Sequence, residues 1–209
     1  MELIAEKKER RARVPAHIAR GALLEVAVEL FCCYGIDVVT MEQLAQASQL
    51  NKMSVYRLFG SRDALVLDCA RWLREKEERH WVDALAAMHD SPAESICQLF
   101  RDLSRRMVRS DHAGRALSII SRYYGDAGHP VRLEFATHKA ALRSLLLRVA
   151  NDLRINDTEK LVDTLLLVWE GAVLNDSGSI ESRRIAACLP EVAERILLWH
   201  AEEPRPQSR

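Results

Sequence analysis

From Ile18 to Tyr34 the apolar positions Ala22, Leu23, Val26, Ala27, Leu30 and Phe31 fall one helical turn apart, and Arg20, Glu25 and Glu29 take other faces. That spacing predicts an amphipathic helix. Gly35 follows as a stop, because glycine tolerates the left-handed conformation that closes a helix. Thr40-Met41-Glu42-Gln43 reads as a capping box, with Thr40 as N-cap and Gln43 reaching back, so a second, short helix runs to about Ser48. After a brief break, Asn51 caps a third helix that carries Val55, Leu58 and Phe59 and ends at Gly60. Ser61 then caps a long helix from Arg62 through Leu67, Ala70, Trp72 and Leu73 toward Trp81 and Leu85.

The pattern stays helical beyond it. Ser91-Pro92-Ala93-Glu94 is another capping box with proline in the first turn, followed by Ile96, Leu99, Phe100, Leu103 and Met107 on one face. Residues 113–124 make a sixth helix, and Gly128-His129-Pro130 breaks the chain before a seventh that runs through Leu142, Leu145, Leu146 and Val149 to about Leu153. Between Thr158 and Asn175 apolar residues, Leu165 and Trp169 among them, cover most sides of a helix, more than one core-facing stripe requires. In the last helix Ile185, Leu189, Val192, Ile196 and Trp199 recur at spacings of four and three, a seam suited to helix-on-helix packing. These two helices look like half of a four-helix bundle completed by a second copy, with Leu165, Trp169, Leu189, Val192, Ile196 and Trp199 in the interface. The other reading makes both of them internal core helices of a monomer.

No stretch shows a strand's period of two, so the fold class is all-α. We expect an N-terminal unit over 1–62, a larger C-terminal helical unit over 63–203, and a frayed tail over 204–209. With 209 residues, 48% of them hydrophobic, the chain is long enough to bury a substantial core. No apolar run approaches the ~20 residues of a membrane span, and the opening MELIAEKKERRARVPAH is charged where a signal peptide is apolar, so the expected location is the cytoplasm.

The formal net charge is zero and argues neither for nor against a nucleic-acid partner. Distribution is more telling. Lys7, Lys8, Arg10, Arg11, Arg13 and Arg20 crowd the N-terminus against Glu6 and Glu9, which reads either as an arm that meets phosphates or as a solvated tail.

Catalytic motifs are missing: there is no GxSxG, HExxH, phosphate-binding loop or dinucleotide glycine pattern, so no enzyme and no cofactor is expected. Glu134 and His138 stand at i and i+4 with His129 just before, a spacing open to a metal, but a Glu-His pair without one is the commoner reading, and no metal is expected. Five cysteines, with no CxxC spacing, suggest reduced thiols rather than disulfides or zinc. Adjacent Cys32 and Cys33, and Cys97, are conceivable redox sensors. Burial as small hydrophobes is the reading we prefer.

Two short helices with a tight link, the second led by a polar cap, form a helix-turn-helix. Thr40 to Leu65, TMEQLAQASQLNKMSVYRLFGSRDAL, resembles the signature of the TetR family of transcriptional regulators, and Arg20 to Gly35 resembles the helix before it. Thr40, Leu44 and Ala45 supply the family's opening, Ser54 to Phe59 match its recognition helix, and Arg62 takes the usual lysine position. Gln49 departs, standing where the turn commonly has glycine, and Asn51 stands where serine commonly caps.

The resemblance implies roles. Thr40, Ser54, Tyr56 and Arg62 offer donors to phosphates flanking the groove, which positions the protein without reading sequence. Lys52, Met53 and Arg57 are the expected base readers, the cations toward guanine and Met53 toward a thymine methyl. Glu42 either accepts from cytosine or is a solvated helix residue, and we favour the second.

The resemblance also implies a small effector bound within the C-terminal unit, and the candidate lining is Trp81, Phe100, Met107, Tyr123, Tyr124, His138 and Trp169. The expected function is that of a ligand-responsive repressor that binds a near-palindromic operator as a homodimer. The alternative is a DNA-bound scaffold of the same fold that recruits a protein. A cavity in the C-terminal unit favours the sensor; a filled core with an exposed apolar patch favours the scaffold.

Overall fold

A computed structural model describes residues 15–86, 91–109, 113–153 and 155–202. The basic cluster Lys7, Lys8, Arg10, Arg11 and Arg13 and the tail 204–209 lie outside these residues. Ten helices occupy the described residues, which divide into two compact units between Leu65 and Val66.

In the first unit, α1 (Ala16–Tyr34) buries Leu23, Leu24, Ala27 and Phe31. Ala22, expected inside, is exposed, so the apolar face sits further round the helix than its aliphatic residues alone suggest. Arg20 completes that face. Its guanidinium lies 4.5 Å from the centre of the Phe59 ring, and its Nη1 donates to the Leu58 carbonyl at 3.0 Å. Gly35, at φ +88°, ends α1 with its N–H on the Phe31 carbonyl. Two short helices follow, α2 (Met41–Ala47) and α3 (Lys52–Phe59). They share a core of Ile36, Val39, Met41, Leu44, Ala45, Val55, Phe59 and Leu65 with α1.

The long α4 (Arg62–Ala86) starts on Ser61, whose Oγ accepts from the Ala64 N–H at 3.1 Å. Within the second unit three groups on it pair with later helices. Arg71 and Arg74 both donate to Glu134 at 2.9 and 3.0 Å, and Glu77 accepts from Arg106 at 2.5 Å. The Glu77 and Arg106 side chains are each only 1% exposed. Asp102 holds Arg106 from the other side, through Nε at 2.7 Å. A charge pair so far from water depends on the hydrogen bonds it makes, and Arg106 makes them through Nη1 and Nε while its Nη2 has none among the described residues.

Helix α5 (Pro92–Val108) is the spine of the second unit, buried along Ile96, Leu99, Phe100, Leu103 and Met107 as the spacing predicts. Around it pack α7 (Pro130–Ala150), α9 (Ile180–Ala187) and α10 (Leu189–Glu202). Helices α6 (Ala113–Arg122) and α8 (Thr158–Asn175) close on α7 and on each other.

The sequence reading made one helix of α9 and α10. The structure breaks it at Cys188, whose N–H turns back to the Ile185 carbonyl. Pro190 is the reason: it lacks an N–H and its ring clashes with the carbonyl four residues earlier, so a continuous helix cannot pass through it.

Candidate nucleic-acid interface and interior cavity

The link between α2 and α3 sets how the third helix is presented. Thr40 and Gln43 make the reciprocal capping box, with the Thr40 N–H on Gln43 Oε1 at 2.7 Å and the Gln43 N–H on Thr40 Oγ1 at 3.2 Å. At the far end the Leu50 N–H reaches back to the Ala45 carbonyl at 2.9 Å and the Gln49 N–H to Gln46 at 3.1 Å. These are the paired bonds of a Schellman turn. Its left-handed position is Gln49, at φ 56°, among the described residues the one non-glycine at positive φ. The Asn51 side chain then accepts from the Ser54 N–H at 2.7 Å and starts α3.

Val55 and Phe59 point inward on α3. At about 100° per residue the direction opposite their midpoint belongs to Arg57, with Met53 and Ser54 beside it and Tyr56 on one flank, whereas Lys52 lies nearer the inward direction and reaches solvent as the first residue of the helix. Met53 is 78% exposed and Tyr56 39%, and Arg57 and Lys52 are exposed as well. The helix therefore shows solvent a face of mixed cationic, hydroxyl and thioether groups.

Two of the expected contacts are already engaged. Lys52 pairs with Glu42 on α2, so Glu42 is neither a free base reader nor simply solvated. That hydrogen bond holds the Glu42 carboxyl below its usual range and lifts the Lys52 ammonium above its own. Arg62 Nη2 donates to the Val39 carbonyl at 3.3 Å, tying the start of α4 to the residue before the Thr40 cap.

The family profile described as "Bacterial regulatory proteins, tetR family" matches residues 23–69, the stretch that holds this turn and this helix. Through these residues the chain carries the DNA-binding domain of the TetR family. It is a DNA-binding transcription regulator. The whole fold agrees. A TetR-family transcriptional regulator from Streptomyces coelicolor superimposes with a TM-score of 0.77 at 18% identity, over 88% of this chain and 96% of that one. One from Agrobacterium tumefaciens gives 0.73 at 15% identity, over 87% and 98%. A TetR-like regulator from a Rhodococcus species gives 0.72 at 15%, over 92% and 100%. No curated protein sequence matches the chain.

The second unit of the chain holds a cavity of about 200 Å³ between α6, α7 and α8. Its apolar lining includes Phe135, Leu142, Trp169 and Val173, and its polar lining includes Ser121, Arg122, Arg132, His138, Lys139 and Glu170. Of the seven residues expected there, His138 and Trp169 line it. Trp81 and Phe100 stand behind them. The Trp81 ring lies 4.9 Å from His138 and 6.5 Å from Trp169, and Phe100 meets Trp169 edge-on at 5.3 Å. Met107 is core. Tyr123 is exposed, and Tyr124 stacks on His129 at 3.7 Å, away from the lining. The cations were missed, although Arg132, Phe135, Lys139 and Leu142 recur at three, four and three along α7: basic residues within an otherwise apolar stripe were the available signal.

Four of the expected interface residues turn inward. Leu165, Trp169, Leu189 and Ile196 belong to the core of their own chain. Ala193, Leu197 and His200 share the buried face of α10 with Leu189 and Ile196, and a search for large apolar groups passes over the small and polar members of that set. Val192 and Trp199 remain outside, and Leu167, Leu174 and Ile185 join them as exposed apolar groups, Leu167 at 75% and Trp199 at 55%.

Glu134, half of the metal-type spacing, is engaged by two arginines, and the described residues contain no cluster of three metal-binding side chains. Burial pushes the Cys97 thiol up, whereas Cys33 and Cys188 are exposed. Among the described residues no helix is long and apolar enough to cross a membrane.

Proposed function

We propose that the chain is a ligand-responsive repressor that grips a near-palindromic operator as a homodimer, with α3 in the major groove. Arg57 and Met53 then read bases, Lys52 reads from the helix start after exchanging Glu42 for DNA, and Thr40, Ser54, Tyr56 and Arg62 hold phosphates. Arg62 has the second task of bracing the turn, since one of its nitrogens is spent on Val39.

The cavity carries the sensing part of this reading. One of its walls, His138, packs against Trp81 in a tilted ring contact, and Trp81 belongs to α4, the helix that begins at Arg62 beside the recognition helix in sequence. A ligand that shifts His138 therefore acts on α4. Coupling of this kind requires the ligand to prefer one arrangement of that contact over another. The scaffold alternative calls for a filled core, and the cavity weighs against it. The exposed apolar groups of α8, α9 and α10 suit a second copy of the chain, two helices from each copy closing a four-helix bundle.

Selection of bound DNA from a random pool, followed by a compound screen for release, tests the whole reading. The expected result is an inverted repeat whose half-sites lie about 34–36 Å apart, released by a small molecule. Recovery of sequences with no common motif, or a single undivided half-site, overturns the operator reading. A protein ligand, with no compound that changes DNA affinity, favours the scaffold.

A further inference from the structure

The cavity lining combines two chemistries. Phe135 and Trp169 give it flat apolar walls, and Arg122, Arg132 and Lys139 bring three cations. Lys139 Nζ is answered within the lining by Glu170 at 2.7 Å. Arg132 donates to the neutral Tyr124 carbonyl at 3.5 Å, and Arg122 meets no carboxylate among the described residues. Two arginines, Arg122 exposed and Arg132 half-buried, therefore line the same space with no carboxylate paired to either among the described residues. Close like charges are unfavourable, and an anion relieves both at once, because the planar fork of arginine matches a carboxylate with two parallel hydrogen bonds. A neutral ligand leaves that repulsion in place and a cation adds to it.

Size and shape narrow the class. An apolar cavity of about 150 Å³ accepts benzene. About 200 Å³ therefore accommodates one aromatic ring and a short acidic substituent. We propose that the ligand of this cavity is a small aromatic monocarboxylate, its ring against Trp169 and Phe135 and its carboxylate met by Arg122 and Arg132. The assignment rests on reading the cavity as the effector site.

Trp169 lies in the lining, so tryptophan fluorescence of the full chain reports binding. Titration with benzoate, phenylacetate and salicylate, each beside its carboxamide, gives the test. At least one acid should saturate, and bind at least about tenfold tighter than its amide. Arg132→Gln and Arg122→Gln should each erase that preference while leaving the amide unchanged, and Phe135→Ala should weaken acid and amide alike. Amides that bind as well as acids, arginine variants that keep the preference, or no acid saturating at millimolar concentration each overturn the assignment. The operator-release screen separates this outcome from the sensor reading. A neutral or cationic compound that occupies the cavity and releases DNA defeats the carboxylate alone. An acid that occupies the cavity and leaves DNA affinity unchanged defeats the sensor and leaves the ligand class standing.

Discussion

Arg57 faces directly away from the core of its helix, and Tyr56 stands on the flank. Arg57→Ala should therefore relax base preference at one position of each half-site by about 1–3 kcal/mol, whereas Tyr56→Phe should weaken every sequence about equally. Binding measured against a panel of single-base operator variants separates the two; a uniform loss for Arg57→Ala would mean that it holds phosphate. Glu42 makes the opposite kind of contribution. Its carboxylate occupies Lys52, and on the proposed docking it stands close to the phosphates, so Glu42→Gln should raise affinity for DNA of any sequence, by up to about fivefold, the scale of an exposed ion pair. Unchanged or reduced affinity in a filter or anisotropy assay would place Lys52 outside the contact. The thiols are sorted by burial: Cys33 and Cys188 should label rapidly at neutral pH in the folded protein, and Cys97, whose burial disfavours the thiolate, should label only on unfolding. Gln49 pays for a left-handed conformation that glycine adopts freely, so Gln49→Gly should stabilise the first unit by about 1 kcal/mol in denaturant unfolding.

Among the elements, α4 and α5 are joined by a buried charge pair whose stability depends on both members. Arg106→Met takes the hydrogen-bonded cation from the buried Glu77 carboxylate and should cost about 3–5 kcal/mol in urea, and Glu77→Leu added to it should recover most of that loss. A single substitution with no measurable cost would show that water reaches the pair. The helices of the first unit were legible in the sequence down to their caps, because Thr40, Gln43, Asn51 and Ser61 act through local hydrogen bonds that spacing alone defines. The Gln49 turn was legible as well, from a single residue out of place. The α9–α10 break was in principle readable from Pro190, but the regular recurrence of Ile185, Leu189 and Val192 masked it. Which face of α8 and α10 turns inward was not legible: both helices are apolar on two sides, and small and polar residues such as Ala193 and His200 decide the inward side only through what they meet. The cavity cations were hidden for a related reason, since a basic residue on a helix is usually solvated and only the tertiary arrangement brings three of them around one space.

For the molecule as a whole, the outward face of the last helices predicts assembly. Val192→Glu or Trp199→Glu should yield a folded monomer with reduced operator affinity, because these side chains are exposed within one chain. Leu189→Glu and Ile196→Glu should instead unfold the second unit, since a charge is then placed in its core. Sedimentation and circular dichroism together decide it: a wild-type monomer at micromolar concentration, or Val192→Glu and Trp199→Glu variants that still pair, would move the interface elsewhere. The space between α6, α7 and α8 also bears on heat resistance. A compound that fills it binds the folded chain and not the unfolded one, and at a hundred times its dissociation constant adds about 2.7 kcal/mol to the unfolding free energy. For a unit of this size that is a rise of several degrees in melting temperature. Under the proposed sensor reading, candidate compounds can therefore be ranked by melting the protein with each of them before any operator is known.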